Sequence, residues 1–129
     1  MIYLDHSATT KVDPQVLEAM LPYLSDQYGN PSSVYRLAGH ARAGIDRARE
    51  QVAALIGAEP REIIFTGGGS EADNLAIKGY PWAHPDKGKH LITCAIEHHA
   101  VLHACDRMAK MGYEVTTLCV DQHGLVDPQ

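Results

Sequence analysis

The chain has 129 residues, of which 45% are hydrophobic and 21% charged, and its 11 Lys+Arg against 16 Asp+Glu leave a formal charge of −5. That is enough chain for one domain of ordinary globular composition, which excludes disordered and collagen-like structure. Net acidity without a Lys/Arg cluster argues against a nucleic-acid partner. No apolar run reaches the roughly 18–20 residues that cross a bilayer, and the start, Met1-Ile2-Tyr3-Leu4-Asp5, lacks a secretory pattern, so a cytoplasmic location is expected.

Asp13-Pro14 is a helix start signal, followed by Val16, Leu17, Met20, Leu21 and Leu24 at helical spacing, with Pro22 expected to end or kink the helix. Gly29-Asn30-Pro31 breaks the chain. From about Ser33 to Leu55 apolar residues recur every three or four positions, which predicts the longest helix, stopped by Gly57 and Pro60. The period then changes. Glu62–Thr66 reads as a short strand ending in Gly67-Gly68-Gly69, and Ser70–Ile77 as a helix stopped by Gly79 and Pro81. A second unit follows: His90–Cys94 as a strand, Glu97–Met111 as a helix with Gly112 past its end, and Tyr113–Val120 as a third strand. Strands alternating with helices predict βαβ units, hence an α/β fold with a mostly parallel sheet and helices on both faces. The organisation expected is an N-terminal segment with its helices over 1–60 and the first part of an α/β domain over 61–129. The last residues, Asp127-Pro128-Gln129, repeat the helix start signal, so the sequence reads as interrupted there.

Gly67-Gly68-Gly69-Ser70 is the most informative segment, because glycines let backbone N–H groups approach an anion where a helix N-terminus leaves its first donors unpaired. Ser70 serves either as a plain N-cap or as a hydroxyl donor to a phosphate; Glu71 and Asp73 favour the helix dipole but repel a phosphate placed too close. The Walker pattern fails, since no Gly-Lys-Ser/Thr follows. The dinucleotide pattern fits formally, with Gly67-x-Gly69-x-x-Ala72 after a strand and Glu97 near the end of the next one. Glu97-His98-His99 and His103 fall at the carboxyl end of a strand, where open α/β sheets bind ligands, and His98 or Glu97 could serve in acid–base chemistry. His99 and His103, four apart, could share a metal, but no third ligand is evident and none is assigned. The three cysteines, Cys94, Cys105 and Cys119, form no Cys-x-x-Cys pair and are read as reduced and structural.

Four segments, Tyr3-Leu-Asp-His-Ser-Ala-Thr-Thr10, Tyr28-Gly-Asn-Pro-Ser-Ser33, the run Glu62–Ile77 and Ile96-Glu-His-His-Ala-Val-Leu102, together resemble the start of the NifS/IscS-type cysteine desulfurases, pyridoxal-phosphate enzymes of the class V aminotransferase family. The resemblance covers nearly all of this chain and about the first third of a family member. It implies the large domain of fold type I and a homodimer when full length. Gly69 and Ser70 correspond to the residues that hold the cofactor phosphate, and His98 to the histidine that stacks on the pyridine ring and is proposed to act in proton transfer. The family often has Ser where Gly67 stands, Ala at Gly69 and Thr at Ser70, all small substitutions. The activity implied is removal of sulfur from L-cysteine to give L-alanine and an enzyme persulfide, delivered to acceptors such as an iron–sulfur scaffold or tRNA thiolation. A selenocysteine lyase or another class V enzyme shares the cofactor seat, and a dinucleotide-binding module is the alternative of a different class. The family's cofactor-bearing lysine follows Ser-x-His, which none of Lys11, Lys78, Lys87, Lys89 and Lys110 does. Its persulfide cysteine lies on a mobile loop, whereas Cys94 and Cys119 fall in expected strands and Cys105 in a helix, so these residues alone are expected to be inactive.

Overall fold

The computed structural model describes residues 2–127, so the helix start expected at Asp127-Pro128 runs outside the described residues. The chain divides into two compact units, residues 1–64 and 65–129.

The first unit is helical. α1 spans Pro14–Ser25, and the Asp13 carboxylate accepts the Gln15 amide at 2.8 Å, the cap its sequence announces. Pro22 does not end α1, which continues for three further residues; the Pro22 carbonyl accepts the amides of Asp26 and Gln27 at 3.0 and 2.7 Å. α2 spans Arg36–Ile56 and begins three residues later than the periodicity suggests. The delay has a local cause. Asn30 takes the Ser32 amide on its side chain and the Ser33 amide on its carbonyl, both at 3.0 Å, so those residues close a turn instead of opening a helix. Gly57, at φ 70°, ends α2 in the left-handed conformation that glycine adopts without strain. A 3₁₀ turn, Pro60–Glu62, follows and packs on α2.

α2 buries Ala38, Ala41 and Ala53. Small residues let neighbours come close, and a Cβ at Gly44 would collide with the Tyr23 side chain of α1. Gly39 of the same helix has nothing within 4 Å of that position. Alanine is the better helix former by about 1 kcal/mol, so Gly39→Ala is expected to stabilise the protein by up to that amount. Gly44→Ala is expected to destabilise it by about 1 kcal/mol, because overpacking outweighs the propensity gain. Thermal denaturation of the two variants checks the opposite signs.

The second unit carries the α/β part. Ile63–Thr66 belongs to no sheet, against the expected strand at 62–66. Ile63 does have extended angles, φ −91° and ψ 122°, but the sheet formed by the described residues has two strands and this segment is not one of them. The helix expected to stop at Gly79 and Pro81 instead runs on: α3 spans Gly69–Asn74, a π-turn Leu75–Gly79, and α4 Tyr80–Ala83. Proline has no N–H for the carbonyl four residues back and its ring crowds that carbonyl; the wide π-turn just ahead of Pro81 relieves both demands.

β1 spans His90–Cys94 and β2 spans Glu114–Leu118. They pair in parallel, from His90 opposite Glu114 to Cys94 opposite Leu118, as the alternation of elements predicts. β2 is shorter than the expected 113–120 because β1 ends at Cys94; Val120 instead bridges Val126 in antiparallel fashion. Between the strands, α5 spans His99–Lys110, starting two residues after the expected Glu97. It buries Ala104, Cys105 and Met108, and packs against α3 and both strands.

Candidate functional site

The glycine turn is held from both sides. The Glu71 carboxylate accepts the Gly67 amide at 2.6 Å, and the Thr66 hydroxyl donates to the Gly68 carbonyl at 3.1 Å. Glu71 is thereby drawn back over the start of the turn. The Gly68 carbonyl accepts from Glu71 and Ala72, which starts α3, while the amides of Gly69 and Ser70 and the Ser70 hydroxyl make no hydrogen bond among the described residues. These are the donors that the first helical turn leaves over.

α3 and α5 lie side by side, and an open cavity of about 360 Å³ runs between them. Ser70, Asn74 and Lys78 line one wall, and His98, His99 and His103 the other. Ser70 and Asn74, four residues apart in α3, share one helical face, and Lys78 extends that wall from the π-turn. The Asn74 amide donates to the Ser70 carbonyl at 2.7 Å, which fixes that side chain along the wall. On the opposite wall the His99 and His103 rings stack, with centroids 5.5 Å apart and planes at 21°, and the His98 ring lies 6.2 Å from that of His99. No acidic side chain of the described residues lines the cavity, and Lys78 gives one end positive character.

Two of the three residues singled out from sequence, Ser70 and His98, thus meet at one cavity although 28 positions separate them. Gly69 precedes Ser70 and is not on the lining. His98 is the N-cap of α5: its Nδ1 accepts the Ala100 amide at 3.1 Å, and its carbonyl accepts those of Val101 and Leu102. Glu97 lies off this cavity, so the residue that a dinucleotide would need at its ribose is not presented to it. Sequence reading missed Asn74 and Lys78; the four-residue spacing from Ser70 was the available signal, and Lys78 fell one residue past the expected helix end. Among the described residues no group of three or more His, Cys, Asp or Glu is arranged to hold a metal ion, and no helix is long and apolar enough to cross a membrane. Cys94 is half-buried at the end of β1 and Cys105 buried in α5; Cys119 is exposed past the end of β2, not inside a strand as expected, because the ladder stops at Leu118.

Comparison with known proteins gives the chain a family. The model of the family described as aminotransferase class-V matches residues 2–129. The chain belongs to the class V aminotransferase family. Among its class V relatives, a cysteine desulfurase IscS of Methanosarcina thermophila is 53% identical over 98% of this chain and 31% of its own length. A putative cysteine desulfurase, IscS 1 of Bacillus subtilis, is 54% identical over 97% of this chain and 33% of its own. Among solved structures, a NifS-like protein superposes with a TM-score of 0.89 at 36% identity over 98% of this chain and 35% of that one. SspA in complex with cysteine gives a TM-score of 0.81 at 44% identity, over 89% of this chain and 33% of that one. The chain therefore spans about a third of the length of the curated class V relatives it matches. The expected α/β class and its family resemblance both hold.

Proposed function

We propose that this chain provides the phosphate seat and the ring-facing imidazole of a pyridoxal 5′-phosphate-dependent cysteine desulfurase. The observation that carries the reading is the meeting of Ser70 and His98, from the start of α3 and the cap of α5, on one cavity. The residues present fit the cofactor. Two amides and a hydroxyl at Gly69 and Ser70 are left to take phosphate oxygens, and a Cβ at Gly68 or Gly69 would meet nothing within 4 Å, so the turn leaves open space for a ligand. Glu71 is occupied by the Gly67 amide, which favours seating the phosphate on the Gly69–Ser70 side.

In this reading Gly69 and Ser70 donate to the phosphate, and His98 covers the ring. When bound, pyridoxal phosphate supplies an electron sink for bond breaking at the amino acid's α-carbon. L-cysteine is the substrate, a choice supported by the relatives named cysteine desulfurase and the related structure bound to cysteine. The products are L-alanine and an enzyme persulfide that passes sulfur to an acceptor such as an iron–sulfur scaffold, within a cytoplasmic homodimer. None of the five lysines follows Ser-x-His, and Lys78, though on the cavity, stands about two helical turns from Ser70. The 129 residues by themselves are thus proposed to release no sulfide from cysteine, which a sulfide assay in the presence of the cofactor checks; turnover by this chain alone would refute that part.

Titration with pyridoxal phosphate, followed by absorbance or fluorescence, tests the seat. Ser70→Ala removes one hydrogen bond to a charged group, about 1.5–3 kcal/mol, so affinity is expected to fall roughly tenfold or more. Pyridoxal without the phosphate should show no such dependence on Ser70. Equal affinity of the variant and the parent for pyridoxal phosphate would place the phosphate elsewhere.

A further inference from the structure

The two ring nitrogens of His98 have different surroundings. Nδ1 accepts the Ala100 amide hydrogen at 3.1 Å, closing the N-cap of α5. A backbone amide only donates, so Nδ1 is the nitrogen without a hydrogen, and the neutral ring carries its hydrogen on Nε2. The same residue lines the cavity. Its backbone angles, φ −61° and ψ 149°, and the two carbonyl bonds to Val101 and Leu102 hold it at the helix start, so the ring is anchored at Nδ1 as well as through the chain.

Resting on the reading that His98 faces the cofactor, we propose that the Ala100 amide is a positioning group that holds His98 as the Nε2–H tautomer, so that the nitrogen free of the cap offers a ligand a hydrogen-bond donor, not a base. A proton taken up by the neutral ring would have to go to Nδ1, where the amide stands. The ligand class selected is one that presents an acceptor oxygen or a developing negative charge to Nε2. His98 therefore has two roles split between its nitrogens, one in the fold and one toward the ligand.

Nitrogen-15 NMR of the imidazole in the full chain, recorded where the ring is neutral, reads the tautomer directly. The expected spectrum has an unprotonated Nδ1 and a protonated Nε2 for His98. A protonated Nδ1, or shifts averaged between the two forms, would overturn the proposal. Ala100→Pro, within the first helical turn where proline is tolerated, removes the amide hydrogen and should move the shifts toward an average, whereas Ala100→Ser keeps it and should leave them in place. An unchanged spectrum in the proline variant would show that the amide does not set the tautomer; if that variant fails to fold, the parent spectrum decides alone. His98→Asn keeps an acceptor for the cap but has no Nε2–H, and it should hold the melting temperature while weakening pyridoxal phosphate binding severalfold. A parent protein that shows the Nε2–H form yet binds no pyridoxal phosphate would end the functional reading and leave the tautomer assignment standing.

Discussion

Met108→Ala is expected to lower the unfolding free energy of the α/β unit by about 3 kcal/mol, the usual cost of emptying a buried methionine site. Met108 is 0% exposed and is the largest fully buried side chain among the described residues. It belongs to the face of α5 that also buries Ala104 and Cys105, and α5 is the element that packs on α3 and both strands. Alanine and cysteine neighbours are too short to fill the space left behind, so the cavity term adds to the lost transfer energy. A loss of that size is a large part of the 5–15 kcal/mol that usually holds a domain together. Its consequence reaches the site, because α5 carries His98 at its cap and His99 and His103 in its first turns; loosened packing there separates the two walls of the cavity. Met111, at 43% exposure just past the end of the same helix, is the control, and Met111→Ala should cost under about 1 kcal/mol. Urea denaturation distinguishes them by the midpoint at constant slope. Equal midpoints for the two variants would show that Met108 does not anchor α5.

The second large effect is expected in the helical unit. Gly29 is buried, and a Cβ there would lie 2.5 Å from the Leu37 carbonyl oxygen, 2.6 Å from its carbon and 2.8 Å from the Ala38 nitrogen. These are backbone atoms of α2, next to Ala38 at 0% exposure, and they cannot rotate aside as the Tyr23 ring can near Gly44. Gly29→Ala must therefore shift either the Tyr28–Ser33 turn or the first turn of α2. The expected cost is about 3 kcal/mol, the upper part of the range for overpacking, and a fall in melting temperature on the order of 15 °C. Thermal unfolding followed by circular dichroism measures it, and a melting temperature within a few degrees of the parent would mean that the turn has room to move.

Much of this architecture is legible in the sequence. Asp13-Pro14 and Gly57 act as the helix signals they spell, and the parallel pairing of β1 with β2 follows from two short apolar runs separated by a helix-length segment. What escaped sequence reading depended on partners. Residues 62–66 have strand composition yet stay outside the two-stranded sheet of the described residues, and composition does not say which extended segments join a ladder. Pro81 sits inside a helical run because the preceding π-turn accommodates it, and no propensity of Leu75–Gly79 announces that turn. His98 is an N-cap although histidine is not among the residues that favour that position, so sequence alone starts α5 two residues early, at Glu97. At the site, the glycine turn and the histidine could be named from their pattern, whereas Asn74 and Lys78 required knowing which face of the first helical run meets α5.

The central claim is that Ser70 and His98 serve one ligand. A crystal structure of the protein soaked with pyridoxal phosphate measures this directly. We expect the phosphate oxygens within about 3 Å of the Gly69 and Ser70 amides and the Ser70 hydroxyl, with the pyridine ring against the His98 imidazole. Cofactor density elsewhere, or a phosphate at Ser70 with the His98 ring turned away from it, would contradict the account.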